Sequence, residues 1–173
     1  DKWGFSRERL DQYALNSHQK AVHAQGEGHF VKEITSVPLP GGGDFFIDEG
    51  PREDTSLEAL AQLKPVFKEN GKVTAGNASQ MSDGASAVLL MSRKKAESLG
   101  LKPLAKIVAR AVVGSDPTLM LTGPIAATRQ VLDKAGLMLE DIDKYEVNEA
   151  FASVPLAWAE ELGADFNKLN VNG

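Results

Sequence analysis

From Ser6 onward, apolar and small residues recur at three- and four-residue steps: Leu10, Tyr13, Ala14, Ser17, Ala21 and Ala24. That period predicts one face of a helix, with Ser6 as its amino-terminal cap, an end near Gln25, and Gly26 and Gly28 as the stop. The pattern then changes. Lys32–Leu39 is rich in β-branched residues and meets Pro38, Pro40 and Gly41-Gly42-Gly43 ahead of Phe45-Phe46-Ile47, which predicts a loose β excursion with a turn. Thr55 followed three residues later by Glu58 predicts a capping box and a short helix to about Leu63, which Pro65 prevents from continuing. Asn70-Gly71 predicts a tight turn.

In the second half, strand and helix signals alternate. Ala85–Met91 reads as a buried strand, Ser92 as the cap of a helix to about Leu99, and Gly100 as its end. Leu104–Val113 reads as a long strand, and Pro124 as a first-turn residue of a helix closed by Gly136. Tyr145–Val147 is a short predicted strand running into Asn148-Glu149-Ala150-Phe151. A helix over Val154–Leu162 follows, with Pro155 tolerable only near its first turn. Leu169-Asn170-Val171-Asn172-Gly173 predicts a strand leading into a turn. The alternation predicts an α/β fold.

Composition narrows the function classes. The 173 residues carry a net charge of −5 without a basic cluster, so the electrostatic footprint of a nucleic-acid binder is missing. No apolar run approaches the roughly 18 residues that span a bilayer, and Asp1–Leu10 has no basic-then-apolar signal pattern, so the expectation is a cytoplasmic protein with no membrane partner. Cysteine is absent, which removes thiolate metal sites and any thiol nucleophile from these residues. His18 and His23 would stand about 140° apart on a helix, so with His29 they read as solvated structural residues and no metal site is expected.

Two places have the composition of a site. Thr74-Ala75-Gly76-Asn77-Ala78-Ser79 is made of small residues, with Asn77, Ser79, Ser82 and Asp83 supplying polar groups. Either a slender ligand or a neighbouring helix can approach such a backbone closely. Asn148 and Glu149 sit at a predicted strand end, the usual edge of a ligand crevice in an open α/β sheet. There Asn148 orients a water or donates to an oxyanion, or else it caps the next helix while Glu149 favours that helix's positive end. Met120 and Phe151 line an apolar slot or belong to plain core, and Arg52 stacks on a purine, pairs with a phosphate or stays a surface charge.

Taken together, Asn70–Ser79, Ser82-Asp83-Gly84-Ala85, Asn148-Glu149-Ala150-Phe151 and Asn170-Val171-Asn172-Gly173 resemble thiolases in order and spacing. The resemblance covers essentially the whole chain and matches the middle and later part of that family. It implies a thiolase-like α/β fragment: residues 1–76 as the later part of a CoA-binding loop domain, 77–102 as the last strand and helix of the first core domain, and 103–173 as the first half of the second, both cores being of βαβ type.

The activity implied is CoA-dependent cleavage of 3-ketoacyl-CoA, as in fatty acid β-oxidation, or the reverse condensation of acetyl-CoA. Coenzyme A would be substrate or product rather than a bound cofactor, and the longer parent a homodimer or homotetramer. The family's nucleophilic cysteine, activating histidine and second cysteine have no match among these residues, so the chain alone is expected to be inactive. The alternative is a non-catalytic CoA-binding or assembly module.

By match to the family, Asn148 holds the water of the oxyanion hole. Met120, Ala150 and Phe151 line the reactive end of the tunnel. Ala75, Ala78 and Ser79 flank pantetheine, with Leu63 and Phe67 nearby, and Arg52 packs on adenine. Gln80 replaces a common glycine and Pro155 is unusual. Thr118–Leu121 and Ala152–Trp158 look more like degradative thiolases acting on bulky or longer acyl groups.

Overall fold

The first helix forms as its pattern predicts. Helix α1 spans Arg7–Gly26, and the Ser6 hydroxyl accepts a hydrogen bond from the Arg9 amide at 3.2 Å, satisfying one of the donors that a helix start leaves open. Glu27 caps its end, and Gly28 follows at φ 71°, in the left-handed region. The computed structural model describes all of residues 1–173, which form two units: Asp1–Gln80 with Ile142–Gly173, and Met81–Asp141.

In the first unit the β excursion is a small antiparallel hairpin, β1 (Val37–Pro38) against β2 (Asp44–Phe45), with Val37 opposite Phe45. Gly42 and Gly43 close it at φ 92° and 84°. Helix α2 spans Leu57–Ala61, shorter than expected, and its cap is Ser56 rather than Thr55: the Ser56 hydroxyl accepts from the Ala59 amide at 3.2 Å. The helix stops early because Arg7 takes over its last carbonyls. One guanidinium nitrogen donates to the Leu60 oxygen at 2.5 Å and the Leu63 oxygen at 3.1 Å, a cation at the helix's negative end. The Asn70-Gly71 turn forms, with Asn70 at φ 55° and the Gly71 amide donating to the Lys68 oxygen. It lets Pro65 and Thr74 face each other in an antiparallel bridge.

The two predicted strands near the end of the chain lie side by side and parallel. The Tyr145 amide donates to the Lys168 oxygen at 2.8 Å and the Asn170 amide to the Tyr145 oxygen at 2.9 Å. Helix α5 (Ser153–Leu162) follows with Pro155 in its first turn, where no amide hydrogen bond is lost, and Gly163 at φ 67° ends it. Val154–Ala159 are all buried. Phe5 and Leu10 from the start of the chain pack with Ala152, Leu156 and Ala157, flanked by Trp3 and Tyr13. Each large apolar side chain so buried contributes about 1.5–3 kcal/mol. Trp158 stacks at a tilt on Tyr145, ring centroids 5.2 Å apart.

The second unit contains α3 (Arg93–Ser98), capped by Ser92, and α4 (Gly123–Ala135), with Pro124 in its first turn and Gly136 in the left-handed region at its end. These agree with expectation. The strands expected at Ala85–Met91 and Leu104–Val113 do not. Neither carries a hydrogen-bonded ladder, and the first is exposed rather than buried, Leu89 at 78%. Ala109, Ala111 and Val113 are half-buried while Val108, Arg110 and Val112 between them are exposed, a strand's two-residue period without a strand's neighbour. A strand is defined by the chain it pairs with, and none lies beside these segments. No helix is long and apolar enough to cross a membrane.

Candidate functional site

Two buried asparagines shape the region the sequence singles out. Asn77 is 3% exposed and every polar atom of its side chain is used. Its amide nitrogen donates to Asp11 Oδ1 at 2.8 Å and to the Lys72 carbonyl at 3.0 Å, and its oxygen accepts from the Thr74 amide at 3.0 Å. Asp11 in turn holds Arg7 Nε at 2.7 Å. This chain of bonds fastens the small-residue segment to α1, and through Arg7 to the end of α2. Gly76 lies against α2 so closely that a Cβ there would collide with Leu60 and Leu63. The small residues therefore serve close packing on one side, while Ala75 and Ser79 stay exposed on the other.

Asn170, in the left-handed conformation at φ 43°, does the same for the strand end. Its side chain pairs with both backbone groups of Val147: the oxygen accepts from the Val147 amide and the nitrogen donates to the Val147 carbonyl, each at 2.8 Å. The same nitrogen donates to Glu149 Oε1 at 2.7 Å. Glu149 also accepts from the Tyr13 hydroxyl at 2.7 Å and the Ser17 hydroxyl at 2.5 Å. Burial and the adjacent Glu149 charge raise the Tyr13 pKa, which keeps the phenol a neutral donor. Burial and Glu149 also raise the Glu146 carboxyl, with Lys20 opposing them. Glu149 thus turns inward to α1 and neither faces a crevice nor serves α5. Asn148 is not a helix cap either: the residue before α5 is Ala152, with no side-chain capping bond.

Between these anchors lies an exposed strip. Asn148 is exposed, and its carboxamide makes no hydrogen bond within the chain. Three residues on, Phe151 bridges Ala78 in antiparallel fashion. The Ser79 amide donates to the Ala150 oxygen at 3.0 Å, and the Ala152 amide to the Asn77 oxygen at 2.9 Å. Phe67, 73% exposed, meets Phe151 edge-to-face with centroids 5.9 Å apart. Asn148, Ala150, Phe151, Phe67, Ala78 and Ser79 are therefore brought together by direct contact or chain adjacency. Leu63 and Ala75 adjoin them through the packing at Gly76 and the chain itself. An apolar pair beside small residues and a free amide suits a slender apolar chain with a polar end. No base is hydrogen-bonded to Ser79, so its hydroxyl is not arranged as a nucleophile.

Other predicted residues go elsewhere. Arg52 is tied to α1, its amide donating to His18 Nδ1 at 3.1 Å, and its guanidinium is unpaired. Burial, then the Arg52 charge, lower the His18 pKa, with Glu149 opposing. Met120 belongs to the other unit, at φ 52°, where the Ser115 hydroxyl donates to its carbonyl. The histidines form no metal cluster. Ala152 and Val154–Trp158 are buried and lie away from the exposed strip. Sequence reasoning missed the partners Arg7, Asp11, Tyr13 and Ser17. The available signal was their four-residue spacing on α1, with polar groups interrupting a small, apolar face.

The fold is a mixed α/β segment of a longer family fold, as comparison with known proteins shows. Residues 1–94 match the thiolase N-terminal domain and residues 101–173 the thiolase C-terminal domain. The chain belongs to the thiolase family. It is 51% identical to an acetyl-CoA acetyltransferase of Pseudomonas aeruginosa, over all of this chain and 45% of that protein. Human mitochondrial 3-ketoacyl-CoA thiolase, solved in complex with CoA, superimposes with a TM-score of 0.96 at 45% identity, over 99% of this chain and 43% of that one. The dimeric peroxisomal thiolase of Saccharomyces cerevisiae gives 0.94 at 42% identity, over 99% and 44%. The chain spans a little under half the length of the relatives it matches.

Proposed function

We propose that the protein carrying this chain is an acyl-CoA acyltransferase of thiolase type, which cleaves 3-ketoacyl-CoA with coenzyme A or condenses acetyl-CoA in reverse. The observation that carries the reading is the free, exposed carboxamide of Asn148, set on a backbone clamped on both sides and three residues from the Phe67–Phe151 pair. In this reading Asn148 holds the water that, with a histidine, stabilises the oxyanion of the thioester carbonyl. Ala150 and Phe151 line the reactive end of the tunnel, while Ala75, Ala78, Ser79, Leu63 and Phe67 flank pantetheine. The unpaired Arg52 guanidinium packs on adenine.

The acyl-accepting cysteine, its histidine and the second cysteine come from residues other than these 173, which contain no cysteine. We assign residues 1–76 to the CoA-binding loop domain, 77–102 to the end of the first core domain and 103–173 to the second; the family-domain limits at 94 and 101 support a change of core domain near residue 102. The dimeric state of the yeast peroxisomal thiolase supports a homo-oligomer.

Thiolysis of a 3-ketoacyl-CoA by the protein at its full natural length tests the reading. Asn148→Ala is expected to lower kcat by about 10²–10³-fold, the loss typical of an oxyanion-hole group. Arg52→Ala and Ser79→Trp should chiefly raise the KM for CoA. CoA binding without any cleavage, or an unchanged kcat in Asn148→Ala, would overturn it, the former in favour of a non-catalytic CoA-binding module.

A further inference from the structure

The carboxylate of Glu149 takes three hydrogen bonds, from the Tyr13 hydroxyl at 2.7 Å, the Ser17 hydroxyl at 2.5 Å and the Asn170 amide nitrogen at 2.7 Å. These donors turn the carboxylate toward α1 and Asn170 and hold it there. Its neighbour Asn148 has the opposite character, an exposed side chain whose carboxamide makes no hydrogen bond within the chain. Within the chain, only its backbone places that carboxamide. On one side Asn170 grips both the amide and the carbonyl of Val147. On the other, Glu149 is drawn to α1 and the Ala150 carbonyl is held by the Ser79 amide at 3.0 Å.

Resting on the reading of Asn148 given above, we propose that Glu149 is a positioning residue of the reaction: with Tyr13, Ser17 and Asn170 it fixes the peptide that aims the Asn148 carboxamide at the oxyanion water. An alanine at 149 would take the acceptor away from the half-buried Tyr13 and Ser17 hydroxyls and one of the acceptors from the Asn170 amide nitrogen. A glutamine would put an NH₂ in place of one acceptor oxygen, so that a hydroxyl now donating must turn round to accept. In either case the peptide carrying Asn148 relaxes, and a displacement on the order of 1 Å at such a group costs about 10²-fold in rate. The arrangement also explains why polar Tyr13 and Ser17 occupy the inner face of α1, where apolar residues would pack more simply. They are the donors that hold Glu149.

The test is a double-mutant cycle on kcat in the protein at its full natural length. Tyr13→Phe keeps the ring and removes one donor, so it survives as a probe even where Glu149→Gln folds poorly. Tyr13→Phe is expected to lower kcat by roughly 3–10-fold and Glu149→Gln by roughly 10²-fold, each with the KM for CoA within about twofold. In an Asn148→Ala background Tyr13→Phe should change kcat by less than about 1.5-fold, because residues acting through one group are not additive. Equal losses from Tyr13→Phe with and without Asn148, or no loss from either variant at 149 and 13, would overturn the proposal. That result leaves the reading of Asn148 standing if Asn148→Ala is itself impaired. An unimpaired Asn148→Ala overturns both.

Discussion

The two units treat their apolar residues differently. Asp1–Gln80 with Ile142–Gly173 holds every buried residue of the chain except Ala96 and Ile125. Its elements are joined by side chains that stand in for backbone: Asn77 and Asn170 complete turns and strand ends, and Arg7 ends a helix. Met81–Asp141 has two helices, α3 capped by Ser92 and α4 closed by a left-handed Gly136, but leaves Val88, Leu89, Leu90, Leu104 and Val112 in solvent. Helix caps and side-chain amides find their partners within a few residues or in one facing helix. A strand's hydrogen bonds need another strand, so the second unit keeps its local structure while its predicted sheet is unformed. Exposed apolar runs of this kind are also where chains associate.

The comparison breaks if truncations in the two regions cost the same. In urea unfolding of the 173-residue chain, Trp158→Ala is expected to lower stability by about 3–5 kcal/mol, since it empties a buried site beside Tyr145. Leu104→Ala, at a side chain in full contact with solvent, should change it by less than about 0.5 kcal/mol. A smaller effect sharpens the role of the amide anchors. Asn77→Ala leaves Asp11, Lys72 and Thr74 short of a partner and should cost about 2 kcal/mol, whereas changing the exposed Ser82 should register nothing.

The smallest expected effect is a pH dependence confined to the first unit. Because the folded His18 pKa lies below its unfolded value of 6.5, the unfolded chain binds the proton more readily. Stability is then full above pH 6.5 and falls as the pH drops from there through the folded value. His18→Gln should flatten the unfolding midpoint across that window. Glu146 has the opposite sign: its raised folded pKa makes stability decline as the pH climbs from 4.5 to the folded value.

Helices α1, α3, α4 and α5 were legible because their signals are local: serine caps at Ser6 and Ser92, Pro124 and Pro155 in first turns, and left-handed glycines at 136 and 163. The cap of α2 slipped by one residue because Thr55 and Ser56 are both competent and the backbone turns in at Ser56, with φ −145°. The small-residue segment and the Asn148 strand end were visible as composition, and the structure joins them through the Ala78–Phe151 bridge. Arg52 shares no such link with them, since nothing in spacing tells where a loop arginine points.

By itself the sequence determined the family, the helices and their ends, and which stretches carry small or polar groups, all properties written in residue type and short spacing. Only the tertiary structure decided that Glu149 turns inward while Asn148 stays free, and that Asn77 and Asn170 replace backbone partners. It also decided that two strand-like runs go unpaired. Each of these depends on groups up to 136 residues apart in the chain or on a neighbouring strand, and hydrogen bonds over that range follow from packing rather than pattern.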